Sequence, residues 1–161
     1  VKRSKEQLAP AELAQCSLYF RYFMNQAAEK AGLGDQYLSF LDPWRKMLDL
    51  GMTTWPETPD ETPRSDCHAW STSPSIDMLS IICGVRPAAP GFAKVRVEPH
   101  LGSLQYATCE IPHPKGVVKV ALKKVNGKIT ADVELPQGVT GEYVSGGKSY
   151  PLKPGDQSFG K

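Results

Sequence analysis

Val85-Arg86-Pro87-Ala88-Ala89-Pro90-Gly91 divides this chain into two differently patterned parts. Two prolines and a glycine in so short a run exclude a regular helix and read as a turn-rich linker, so a domain boundary falls between residues 1–86 and 87–161. On its N-terminal side apolar residues recur every three or four positions. Leu13, Cys16, Phe20, Phe23, Ala27 and Ala31 share one face of a helix expected over Ala11 to Ala31, with Pro10 suited to its first turn and Gly32 to its exit. Tyr37, Leu38, Leu41, Trp44, Met47 and Leu48 do the same for Asp35 to Leu50, which Gly51 ends. Pro43 interrupts that stretch, and a restart with Asp42 as cap is favoured over a kink. Ser73-Pro74 opens a third, short helix with Ile76, Leu79, Ile82 and Cys83 on one side, up to Gly84.

On the C-terminal side the period changes to two. Lys94 to Glu98, Gln105 to Ile111, Val117 to Val125, Lys128 to Leu135, Gly141 to Ser145 and Ser149 to Leu152 read as strands. Asn126-Gly127 between two of them suits a type I′ hairpin, in which both central residues need positive φ. The expectation is an α+β chain in two parts, N-terminal helices followed by a small antiparallel β-sandwich.

The 161 residues suffice for a proper core, and 40% apolar residues, 22% charged residues and a formal charge of +2 fit a soluble globular protein. No basic run invites nucleic acid, and no apolar stretch approaches the ~20 residues of a membrane-spanning helix. The Val1 start shows neither signal peptide nor initiator Met, so the sequence reads as a mature form or an excised piece. Cys16, Cys67, Cys83 and Cys109 form no Cys-x-x-Cys pair and lack histidines at zinc spacing. They read as free, mostly buried thiols, with no metal and no cofactor called for.

The stretch from Met52 to Ser73 has no period and carries Pro56, Pro59 and Pro63, which makes it a long loop of the kind that serves function or is disordered. Trp55, Trp70 and His68 argue for function. Aromatic faces stack on sugar rings, carboxylates move protons, and Arg64 and His68 donate hydrogen bonds to hydroxyls. Glu57 alone reads more readily as a solvated loop carboxylate and Trp44 as core, while His68 reads equally as a structural histidine. His100 and His113, beside or between prolines, suit strand ends and turns. Tyr106, Tyr143 and Tyr150 could form an aromatic platform or pack inside the sandwich.

The order of motifs resembles the C-terminal portion of bacterial α-L-rhamnosidases of glycoside hydrolase family 78. The resemblance rests on Gly51, Thr53, Thr54 and Glu57; then Ser65, Cys67, His68, Ala69 and Trp70; then Ala89, Pro90, Gly91, Phe92, Val95, Val97 and Pro99. It implies that residues 1–86 hold the last helices and the active-site loop of an (α/α)6 barrel, and that residues 87–161 are the terminal sandwich. It further implies an inverting hydrolase that releases terminal α-L-rhamnose, with Glu57 as general base and His68 at the sugar. Trp55, Trp70 and Arg64 are the remaining candidate substrate contacts. Many members read Thr-Thr-x-Trp-Glu where this chain has Trp55-Pro56-Glu57, which keeps the carboxylate and moves the tryptophan. Asp60, Glu61 and Asp66 have no family assignment. The general acid lies upstream in the family, so the implied partners are a rhamnosylated carbohydrate and the preceding part of the same catalytic domain. A different class, a non-catalytic carbohydrate-binding sandwich with a helical adaptor, is the alternative.

Overall fold

A computed structural model describes residues 16–160. Packing separates the chain into two compact units, Val1–Asp77 and Met78–Lys161. Leu13 and Pro10 of the expected first helix lie outside the described residues.

The first unit is helical. Ser17 caps α1 (Leu18–Ala28), its hydroxyl accepting from the Phe20 amide at 3.4 Å. A π-helical turn (Glu29–Leu33) containing Gly32 at φ 78° leads into a 3-10 helix (Gly34–Leu41), and α2 follows at Asp42–Asp49. The restart at Pro43 is thus observed, but the Asp42 carboxylate does not cap it. Asp42 lies within the helix and accepts from Arg45 at 2.7 Å. Gly51, at φ 74°, closes α2 in a Schellman arrangement: its N–H reaches Leu48 O, and the Met52 N–H reaches Met47 O.

Tyr37, Leu41, Trp44 and Met47 are buried as their spacing predicts, whereas Leu48 is exposed. Trp44 is core, its indole N–H donating to Ser71 O at 2.7 Å. In α1 the expected face is displaced. Leu18, Arg21, Asn25 and Ala28 are inside, while Tyr19, Phe20, Tyr22 and Phe23 are outside. The cause is polar: the Asn25 amide donates to Asp77 Oδ2 at 2.8 Å and the Gln26 amide to Asp77 Oδ1 at 3.0 Å, which draws that side of α1 inward. Asp77, fully buried, ends the short helix α3 (Ser73–Asp77), and Ile76 beside it is half exposed.

The second unit opens with a π-helical turn (Met78–Ile82) and continues as two four-stranded sheets. β1 (Val85–Pro87), β2 (Lys94–Val97), β6 (Thr140–Ser145) and β7 (Lys148–Leu152) form one sheet in that order. β3 (Tyr106–His113), β4 (Gly116–Val125), β5 (Lys128–Leu135) and β8 (Gly155–Phe159) form the other. Six strands fall where alternation puts them. Val85–Pro87 is not a linker as expected but an edge strand, and an edge tolerates Pro87 because one side needs no ladder donor. The sandwich is also not wholly antiparallel, since β2 and β6 run parallel. Asn126 and Gly127 turn the β4–β5 hairpin at φ 50° and 76°.

Val118, Val120 and Leu122 of β4 and Ala131, Val133 and Leu135 of β5 bury one side of their sheet; Val95, Val97, Tyr143 and Leu152 come from the other sheet. Gly84 is held at φ 72°, and a Cβ there would meet Glu98 O at 2.0 Å, so no larger residue fits against β2's end. His113, between two prolines, is structural: it bonds Phe92 O through Nε2 at 2.8 Å and accepts the Lys115 N–H at Nδ1, which defines its tautomer.

Candidate active-site loop

The loop after α2 has no regular structure, yet its two limbs are laced together. Glu57 N–H donates to Ser65 O at 2.9 Å, His68 N–H to Trp55 O at 2.7 Å, and the Thr54 hydroxyl to Asp66 O at 2.5 Å. Residues 54–57 therefore run beside residues 65–68 in opposite sense. Pro56, which has no N–H to offer, is the buried residue of the first limb. Of the five candidate residues, four fall into two side-chain pairs on or next to these limbs, and Trp55 joins through its backbone.

The first pair is Glu57 and Arg64. Arg64 Nε donates to Oε2 at 2.8 Å and Nη2 to Oε1 at 2.5 Å, a bidentate fork that fixes the carboxylate plane. The Glu57 side chain is 15% exposed and that of Arg64 79%, so the base candidate is sheltered and its partner is open to solvent. Of five guanidinium donors, two are used here and three remain for another acceptor.

The second pair is His68 and Trp70, whose ring centroids lie 4.0 Å apart. Trp70 is 42% exposed, and Tyr19 from the start of α1 also packs against it, with ring centroids 5.5 Å apart. Tyr19 is the site residue that the sequence reading missed. It packs edge-on against Phe20 and Phe23 of its own helix, and only the return of the chain brings Trp70 to it. Trp55 is partly exposed.

A hollow of about 410 Å³ opens beside the loop, lined by Thr53, Thr54, Pro56, Glu61 and Asp66 among others. Its lining includes neither Glu57 nor His68, so Glu61 and Asp66 are the carboxylates nearest that space. Asp77 marks the end of α3, the helix that follows the loop. Burial pushes its carboxyl above the usual range, opposed by the bonds from Asn25 and Gln26. Tyr37 is likewise pushed up, first by burial and then by the charge of Asp77.

In the second unit a larger hollow of about 780 Å³ lies on the β3–β4–β5–β8 sheet and is lined by residues such as Glu110, Lys119, Asp132, Glu134, Asp156 and Ser158. No aromatic residue lines it. Tyr143 is buried and stacks on Phe159 at 4.6 Å, while Tyr106 and Tyr150 are exposed. Among the described residues no group of three or more His, Cys, Asp or Glu is arranged to hold a metal ion, and no helix is long and apolar enough to cross a membrane. The cysteines are all free, but only Cys83 is buried; Cys67 is exposed and the other two are intermediate, which corrects the expectation of mostly buried thiols.

Residues 84–155 match the model of the bacterial alpha-L-rhamnosidase C-terminal domain. No curated protein matches the chain significantly. Among solved structures, the GH78 family rhamnosidase of Bacillus sp. GL1 is 29% identical over 84% of this chain and 16% of its own, with a TM-score of 0.77. The α-L-rhamnosidase of Dictyoglumus thermophilum is 18% identical over 88% of this chain and 20% of its own, with a TM-score of 0.78. The native α-L-rhamnosidase of Aspergillus terreus is 21% identical over 86% of this chain and 18% of its own, at 0.76. The chain thus spans less than a quarter of the length of these structures. Residues 84–155 thus match the bacterial alpha-L-rhamnosidase C-terminal domain, and the chain is similar over most of its length to part of a family 78 rhamnosidase.

Proposed function

We propose that this chain is the C-terminal part of an inverting α-L-rhamnosidase and supplies the general-base half of its site. In this reading residues 1–86 end an (α/α)6 barrel and residues 87–161 provide the greater part of the sandwich. Glu57 takes a proton from water as the water attacks the anomeric carbon, and a carboxylic acid from the preceding part of the polypeptide protonates the departing oxygen. His68 hydrogen-bonds sugar hydroxyls, and Trp70, with Trp55, offers an aromatic face. Arg64 holds the base in plane and uses its remaining donors on the substrate.

The observation that carries this reading is the Glu57–Arg64 fork on a laced loop that also carries the His68–Trp70 pair. An ion pair to so exposed an arginine contributes only about 0–1 kcal/mol, so a water or a sugar hydroxyl can take one carboxylate oxygen at small cost. The exposed Tyr19, Phe20, Tyr22 and Phe23 support the partner assignment, because an aromatic cluster of this kind suits packing against further helices of the same barrel.

Hydrolysis of 4-nitrophenyl α-L-rhamnoside tests the proposal. The parent polypeptide should lose about 10²- to 10⁴-fold in kcat on Glu57→Gln, the usual worth of a general base. The chain by itself should show no turnover. An unchanged kcat in the variant would remove Glu57 from the mechanism, and turnover by the isolated chain would show that its acid is not missing.

A further inference from the structure

Two of the four thiols meet inside the sandwich. Cys83 follows the π-turn Met78–Ile82, directly precedes Gly84 and β1, and is 4% exposed. Cys109 lies in β3 opposite Val120, a core residue, on the inward-facing side of its strand. The π-turn packs against β3, and the two thiols are near enough for each to perturb the other's ionisation. β1 and β3 are edge strands of different sheets. A covalent link between these positions would join the sheets at an open side of the sandwich, where no backbone ladder connects them.

We propose that Cys83 and Cys109 form a redox-modification site, converted by a small peroxide into a disulfide between the two sheets. Burial selects the oxidant: a protein disulfide cannot reach a 4% exposed sulfur, whereas hydrogen peroxide is scarcely larger than water. Within the pair the mutual interaction lowers Cys83 and raises Cys109, so Cys83 reacts first as the thiolate and Cys109 keeps its proton. Cys83 Sγ attacks one peroxide oxygen, an S–O bond forms as the O–O bond breaks, and the departing hydroxide leaves as water with the thiol's original proton. Cys109 Sγ then attacks the sulfenic sulfur. The S–S bond forms, the S–O bond breaks, and the hydroxyl leaves as water with the Cys109 proton. Two thiols lose two electrons, and one peroxide is reduced to two waters.

The test is peptide mapping of the full chain after brief treatment with hydrogen peroxide, alkylation in denaturant and digestion without reductant. The expected product is a Cys83–Cys109 cross-linked peptide pair, lighter by two hydrogens and released by a thiol reductant. In Cys109→Ser the sulfenic acid at Cys83 has no resolving partner, and its dimedone adduct should rise about tenfold over the parent chain. Recovery of both Cys83 and Cys109 fully alkylated, under conditions that oxidise the exposed Cys67, would overturn the proposal. So would disulfides joining only Cys16 or Cys67. The mapping on the unsubstituted chain decides the matter even if the serine variant does not fold.

Discussion

Replacing Asp77 by alanine removes the acceptor shared by two amide groups on α1, and the cost can be worked from their surroundings. Asn25 is 1% exposed and its Oδ1 already has no hydrogen-bond partner, so losing the Nδ2 bond leaves the whole amide unsatisfied in the core. An orphaned buried group of this kind costs about 1–3 kcal/mol. Gln26 is only partly buried and can turn its amide to water, which limits its loss to about 0.5–1 kcal/mol. Asp77→Ala should therefore destabilise the helical unit by roughly 2–4 kcal/mol. Trp44, Trp55 and Trp70 all lie within Val1–Asp77, so tryptophan fluorescence during urea denaturation reports this unit selectively.

The carboxyl also sets a pH dependence with a definite sign. Burial raises its pKa in the fold above the unfolded value of about 3.9, so the folded state binds the proton more tightly. The stability linked to that proton is fully present below the unfolded pKa and is lost as pH rises through the folded pKa. The cost of Asp77→Ala should accordingly be largest in acid and shrink as pH rises. Asp77→Asn should flatten the profile: a turn of the Asn25 amide brings its idle Oδ1 to the new NH₂ group. A loss under about 0.5 kcal/mol for Asp77→Ala at pH 4 would refute the argument. So would a parent stability that climbs from pH 4 to 7 through a transition that Asp77→Asn abolishes.

Other substitutions separate structural from chemical roles. Glu57→Gln should change the urea midpoint by less than about 1 kcal/mol, because its partner Arg64 is exposed; a larger loss would make the carboxylate a fold determinant first. Gly84→Ala forces a Cβ into Glu98 O and a left-handed φ on alanine, so the sandwich should lose about 2–4 kcal/mol, read as a drop in its melting transition by circular dichroism. Closing the Cys83–Cys109 disulfide encloses a loop of about 25 residues and should raise that same transition by about 3 kcal/mol in chemical denaturation, reversed by reductant.

What the sequence disclosed and what it hid follow from how far apart the interacting residues lie. Lys128–Leu135 matches its alternation to the residue, because inward and outward positions differ in polarity and Asn126-Gly127 fixes the register beside it. Gly155–Phe159 carries no such alternation: its inward residues are Gln157 and Phe159, and it is a strand because Leu135 to Ala131 pair with it. The face of α1 was misassigned for the same reason. Hydrophobicity points to Phe20 and Phe23, but Asp77, 52 residues beyond Asn25, decides which side turns inward. Nothing near Asn25 announces that acceptor.

The candidate site divides along the same line. Composition drew attention to the loop through Arg64, His68, Trp55 and Trp70, and the resemblance singled out Glu57 among its carboxylates. Their arrangement depends on His68 N–H finding Trp55 O, and Glu57 N–H finding Ser65 O, across a loop without periodicity. Those bonds use the N–H and C=O groups of Glu57 and Trp55, so the path of the backbone here does not depend on which side chain stands at 55. The same reasoning makes the backbone lacing, more than any single aromatic side chain, the feature that holds Glu57 beside Arg64.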